Sequence, residues 1–274
     1  MTRTLRNDMV SSHEPRRNLA REIWEHRELL AAVVERNLKM RFQRSLLGAV
    51  WTLLNPLLTG IVLVGVFSVI LRVQTPQYWA FLLSGYFAWV FTLNILGIAA
   101  SLVSSHSYMT RNVAFPPEVL VIGAVISRFV ELAIEILLVI AVLATARHEG
   151  LTTGLLGVPL VMILHGFLTA GVVFPIAALG VFFEDVQHAV PVALTMLSLI
   201  SPVYYPMSYV PEAWQPVLSL NPFAGLMMLY HVTLYEGRLP TAAEWTVPLI
   251  MTIFAFGVGL MLFRWKSQYF AEVV

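Results

Sequence analysis

The chain has 274 residues, 58% hydrophobic and 12% charged, with a formal net charge of +1 and a mean hydropathy of +0.77. Soluble domains carry roughly 25% charged residues, so a water-soluble globule is excluded and a polytopic membrane protein is expected. The absence of cysteine removes disulfides and thiolate metal sites. With no GxxxxGKS/T phosphate loop, HExxH or aspartate-rich metal loop in the sequence, neither a metal nor a nucleic-acid partner is expected, and the chain cannot hold ATP through a phosphate loop of its own.

Residues 1–18 are polar and without hydrophobic periodicity, too polar for the apolar stretch of a signal peptide. They are expected to form a flexible cytoplasmic tail. From 19 to 45 the pattern is helical: Ile23, Leu30, Val34, Leu38 and Phe42 fall on one broad face, with Arg36 and Lys39 opposite. Such a helix suits the headgroup layer; an ordinary amphipathic cytosolic helix is the alternative. Arg36, Lys39, Arg41 and Arg44 then run directly into an apolar stretch opening at Leu46. That junction marks where the bilayer begins and which side is cytoplasmic.

A span needs about 20 predominantly apolar residues. Six windows qualify, at 47–71, 79–103, 119–145, 154–182, 189–206 and 243–263, the fifth being the shortest. With the N-terminus inside, thirteen Lys and Arg fall in cytoplasmic segments and three (Arg72, Arg147, Arg238) outside, so both ends are placed in the cytoplasm. The expected fold is an all-α membrane protein with a six-span domain over 46–264 and a cytoplasmic tail at 265–274. Segment 207–240 is too apolar for a loop in water and too broken for one span. Pro211 with Glu212 opens a short helix, Asn221–Pro222 caps a second, and Gly237 ends it. A re-entrant helix pair fits this segment before the last span; a hairpin lying on the outer surface is the alternative.

Arg36-Asn37-Leu38-Lys39-Met40-Arg41-Phe42, followed by Ser45-Leu46-Leu47-Gly48-Ala49-Val50-Trp51 and Pro56, resembles the opening motif of membrane (permease) subunits of ATP-binding-cassette exporters. The branch is the one that exports O-antigen, teichoic acid and capsular polymers. Family members usually carry an acidic residue at Asn37 and tyrosine at Phe42. Arg111-Asn112-Val113-Ala114-Phe115-Pro116, Pro202-Val203-Tyr204-Tyr205-Pro206 and Asn221-Pro222 extend the resemblance along most of the chain. It implies a non-enzymatic half-transporter of the bacterial inner membrane that pairs with a second copy. Two separate ATPase subunits would hold ATP and Mg, and the cargo would be a lipid-linked polysaccharide. The resemblance also assigns ATPase coupling to the 104–118 loop and the N-terminal helix, through Arg36, Lys39, Arg41, Arg111, Asn112, Phe115 and Pro116.

Arg128, Glu131 and Glu135 stand mid-span at spacings of three and four, within one narrow stripe of a helix. A charge at the bilayer centre costs roughly 2.5 to 3.5 kcal/mol on insertion scales, so this face must look at protein or water. It is a polar wall of the transport path or a hinge pair, or else an internal Arg128–Glu131 pair with Glu135 bonded to a neighbouring helix. Aromatic planes stack on sugar C–H faces while Tyr and Trp tips bond hydroxyls. Phe67, Tyr86, Trp89, Tyr204 and Tyr205, with Asn221, are therefore candidates for a substrate channel and gate; an interfacial belt is the alternative, preferred for Trp79 and Trp245. His165 reads as a hydrogen-bonded core residue. Export of a lipid or drug is the nearest other function. A proton-coupled carrier using Glu131, Glu135 and His165 is disfavoured by the lack of internal repeats, and a membrane enzyme by loops too short to hold its chemistry.

Overall fold

The computed structural model describes residues 19–42, 50–106, 116–146 and 152–273, and every regular element among them is a helix. Five are long and apolar enough to cross a membrane. They are α3 (Val50–Gly65, prolonged by a wide turn to Ile70), α4 (Tyr78–Ala99), α5 (Glu118–Ala146), α6 (Val158–Phe182) and α10 (Ala242–Ser267). The expected fifth window forms α7 (Asp185–Ile200), apolar but only 16 residues long. At 1.5 Å per residue it reaches about 24 Å, short of a ~30 Å hydrocarbon core. Its end is set by Pro202, which forces the preceding residue out of helical geometry: Ser201 is extended, at φ −97° and ψ 140°.

The N-terminal helix is two pieces, α1 (Leu19–Glu25) and α2 (Arg27–Phe42), joined at His26. The His26 amide and ring Nδ1 both donate to the Glu22 carbonyl, so the joint is bonded rather than loose. α2 packs on α5 instead of lying free: Val33 is buried, and a Cβ at Gly123 would come within 2.7 Å of it.

Contacts between helix ends order the bundle. Arg264, near the end of α10, bonds to Glu22 of α1 and to Glu118 at the start of α5, and Gly180 near the end of α6 abuts Ala100 after α4. These share one side, here called the near side. On the far side, the Gly154 amide ahead of α6 donates to the Gly237 carbonyl ahead of α10 at 3.0 Å. Both α6 and α10 run from far to near, so the chain between 183 and 237 must return to the far side. α7 starts that return and extended residues 201–206 finish it. There the Tyr204 carbonyl accepts a 2.6 Å bond from the hydroxyl of Tyr78, the first residue of α4.

Next come α8 (Gln215–Ser219) and α9 (Pro222–Tyr230), the latter prolonged by a wide turn to Tyr235. α8 starts later than Pro211–Glu212, because the Pro211 carbonyl closes a turn with the Trp214 amide first. Asn221 caps α9, its Oδ1 accepting from the Phe223 amide at 3.0 Å, and Gly237 adopts φ +69° just past the wide turn. Phe223 meets Trp89 halfway along α4, whereas the Tyr235 hydroxyl donates to the Pro76 carbonyl ahead of α4. α9 therefore climbs from mid-bundle depth to the far side.

α6 and α10 share the most extensive helix–helix contact among the described residues. A Cβ at Gly171 would sit 2.5 Å from the Phe256 amide nitrogen, and one at Gly259 only 1.9 Å from the Gly171 oxygen. In lipid, where tails are as apolar as side chains, such backbone approach is what holds helices together. α10 continues to Ser267, and the buried Phe270 ring of α11 (Phe270–Val273) lies 6.0 Å from Phe182 and 5.5 Å from Phe263.

Candidate functional site

α4 is the hub, with 67% of its window buried, whereas only 11% of the Leu53–Ile70 window is covered. The uncovered helix carries polar groups. Trp51, Asn55 and Thr59 recur four residues apart on α3, and Tyr86, Val90 and Asn94 do so on α4. The two stripes line one recess of ≈ 140 Å³. Tyr86 faces the same recess as Thr59, whose hydroxyl donates to the Asn55 carbonyl at 3.0 Å. Amides and hydroxyls at this depth need water, protein or a polar ligand. Of this set, only Tyr86 was a sequence candidate; the paired i, i+4 spacing of the others was the signal available.

At the far end of this wall the Phe67 ring stacks 5.6 Å from Tyr78 and 6.1 Å from Tyr204. The Tyr209 hydroxyl accepts from the Gln74 amide at 2.9 Å, which ties the loop after α3 to the segment after α7. Phe67 and Tyr204 thus share one region with Tyr78. Tyr205 turns away and donates to the Leu199 carbonyl at 2.8 Å. Trp89 does not line an open wall: it is 0% exposed, packed edge-on against Phe223, and its indole N–H has no partner among the described residues. It belongs to the contact that seats α9 on α4. Asn221 caps α9 and also donates to the Ser201 hydroxyl at 2.9 Å, fixing α9 to the end of α7.

Two histidines stand behind the aromatic wall. His165 is fully buried, with Nε2 2.8 Å from the Thr92 hydroxyl and Nδ1 3.3 Å from that of Tyr230, a bonded core residue as expected. His231 was not anticipated. Its ring lies 4.0 Å from Phe81, Nε2 donates to the Pro202 carbonyl at 3.0 Å, and Nδ1 meets the Ser84 hydroxyl at 2.8 Å. It pins α9 to α4 and to the turn after α7 at one point.

The charged stripe of α5 divides. Arg128 donates to Glu131 at 3.1 Å, and the pair opens into a near-side cavity beneath α2, beside Arg36 and Asn37. Glu135, 2% exposed, does not line that cavity.

Arg36 and Lys39 are exposed on α2. Arg36 Nε donates to the Met40 sulfur at 3.4 Å, and Lys39 pairs with Glu35, whose carboxyl that hydrogen bond holds below the usual range. Arg41 occupies the last turn of α2, with its side chain outside the description. Arg111, Asn112 and Phe115 also lie outside the described residues. Pro116 leads into α5, its carbonyl accepting from the Val119 amide at 3.1 Å. Sequence reasoning missed an ionic clasp beside this loop. Arg264 Nε donates to Glu118 at 2.9 Å while its terminal nitrogen bonds to Glu22, joining α10, α5 and α1. No local pattern links residues 242 positions apart.

Residues 28–235 match a family model described as ABC-2 type transporter. The chain is 31% identical over 258 residues to the O-antigen export system permease protein RfbA of Myxococcus xanthus, covering 93% of this chain and 99% of that one. Identity to the protein of the same name from Klebsiella pneumoniae is 24% over 250 residues, covering 90% and 95%. The polysialic acid transport protein KpsM of Escherichia coli is 22% identical over 240 residues, covering 86% and 93%.

Proposed function

The chain belongs to the ABC-2 type transporter family, and from that premise we propose that it is the transmembrane subunit of an exporter for a lipid-linked polysaccharide, such as O-antigen or teichoic acid, in the bacterial inner membrane. Its relatives, named for export of O-antigen and transport of polysialic acid, support that cargo class. Two separate ATPase subunits drive it, and a second copy of the chain completes the path. Six crossings put both termini in the cytoplasm, with α7 and the stretch to 206 as the fifth and α8–α9 as a re-entrant pair at the outer gate. Arg36, Lys39, Arg41, Arg111, Asn112, Phe115 and Pro116 are the coupling contacts.

The recess of Trp51, Asn55, Thr59, Tyr86 and Asn94 carries the cargo assignment. An uncharged set of amides, hydroxyls and aromatic faces matches sugar hydroxyls and C–H surfaces. Phe67 and Tyr204 continue that surface outward. Power comes from the partner: closure of the nucleotide-loaded ATPases moves the loop before Glu118, and the Arg264 clasp passes that movement to α1 and α10 together.

The test is reconstitution with the partner ATPase and lipid-linked glycans. With Asn55→Leu and Asn94→Leu combined, glycan-stimulated ATP hydrolysis is expected to fall about thirty-fold, from two lost hydrogen bonds of roughly 1 kcal/mol each. Basal hydrolysis and membrane yield should hold. A parallel loss of yield and stimulation would assign the recess to packing instead.

A further inference from the structure

The wall formed by α3 and α4 carries no ionic side chain. Between Arg44 and Arg72, and again between Arg72 and Arg111, the chain has no Asp, Glu, Lys or Arg, and those two intervals contain both helices whole. The same holds from Val186 to Pro211, which takes in α7 after its first residue and the Tyr204 segment. Charges on neighbouring elements are turned elsewhere. Arg128 and Glu131 pair with each other and open into the near-side cavity, and Glu135 is buried on α5 and does not line the recess. On the far side Arg238 is held by Glu236 and Glu244. Arg72 follows the wide turn after α3, so it stands beyond Phe67 and outside the recess.

What the wall does offer is amide, hydroxyl and ring. Asn55, Thr59 and Asn94 supply neutral donors and acceptors. Trp51 and Tyr86 beside them, with Phe67, Tyr78 and Tyr204 stacked further out, add aromatic rings, whose faces are the negative part of the quadrupole. Such a wall treats two kinds of polymer differently. A neutral sugar turns hydroxyls to the amides and C–H faces to the rings. A sugar acid or a phosphate-bearing unit brings an anion to bilayer depth in every repeat. No guanidinium or ammonium group of the wall answers that charge, and the ring faces repel it. A second copy that closes the path with the same helices adds no counter-charge.

We propose that the α3–α4 wall selects neutral glycans and rejects polymers that carry a carboxylate or phosphate in each repeat. This selectivity rests on the recess being the cargo path. Within the cargo class proposed above, it points to an uncharged polysaccharide rather than a teichoic acid.

The test is ATP hydrolysis by the chain reconstituted with its partner ATPase. The cargoes are lipid-linked polymers of neutral hexoses, lipid-linked polymers of the corresponding uronic acids, and the same uronic polymers with their carboxylates converted to amides. At equal concentration the neutral polymers are expected to stimulate hydrolysis more than the acidic ones by about ten-fold or more, the scale of one charged group left without a partner. Amidation should recover most of that response with sugar and linkage unchanged. Thr59→Lys places a cation on the wall and should raise the ratio of acidic to neutral response about ten-fold, the scale of one charge-assisted hydrogen bond. Thr59→Gln adds bulk without charge and should keep the wild-type ratio. Comparing acidic with amidated cargo needs no variant, so it decides the matter even where Thr59→Lys fails to reach the membrane. Equal stimulation by acidic and neutral polymers overturns the selectivity and leaves the cargo assignment standing. A ratio unmoved in Thr59→Lys at wild-type yield, or moved as far in Thr59→Gln, does the same. Stimulation by none of the cargoes overturns the cargo assignment, and the selectivity with it.

Discussion

Arg264 is the residue whose removal has the clearest consequence. Its side chain is 16% exposed and holds two carboxylates, Glu118 at 7% and Glu22 at 19%. Breaking a largely buried ion network by removing one partner leaves uncompensated charge and costs about 3 kcal/mol. Arg264→Ala is therefore expected to lower the unfolding midpoint in detergent markedly, and Arg264→Lys to recover part of the loss, since it keeps the charge but not the fork. A midpoint equal to wild type in Arg264→Ala would show that the clasp contributes nothing to stability. At this same scale the sequence was partly legible. The Asn221 cap and the Arg128–Glu131 pair are local patterns, readable from spacings of two and three residues. Trp89 marks the limit of that reading: an aromatic in an apolar helix carries no local sign of whether it faces a channel or a neighbouring helix, and here it packs against Phe223.

Among the elements, α9 and the α6–α10 pair make opposite demands. α9 is short and depends on its cap, so Asn221→Ala is expected to lose about 1 kcal/mol, and more through the lost bond to Ser201. The α6–α10 pair depends on missing side chains. Gly259→Ala would drive a methyl group to within 1.9 Å of the Gly171 oxygen, prying the two backbones apart. Size-exclusion profiles and membrane yield should show this variant largely misfolded, with Gly257→Ala unaffected, because that position has open space around it. Wild-type yield for Gly259→Ala would mean that the pair tolerates a wider crossing. The break of α7 at Ser201 followed from Pro202, a signal available in the sequence and outweighed there by hydropathy.

Across the whole molecule, the decisive question is how often the chain crosses the bilayer. Because this chain has no cysteine, single cysteines introduced into it can report sidedness without background. Ser105→Cys and Gln268→Cys are expected to react with an impermeant maleimide only from the cytoplasmic face, and Thr153→Cys only from the opposite one. Labelling of position 268 from outside would remove α7 and its continuation as a crossing.

The sequence by itself determined that this is a helical membrane protein, where its long apolar helices lie, and which residues cap or break the short ones. A bilayer makes this possible, since each spanning helix must satisfy its backbone within its own segment and must be apolar over a fixed length. Only the tertiary structure decided that Arg128 and Glu131 open onto a near-side cavity while Glu135 is buried, that Trp89 seats α9, that His231 joins three elements, and that Arg264 clasps α1 to α5. Those outcomes depend on which helix faces meet, and hydropathy is nearly the same around a helix whether its neighbour is lipid or protein.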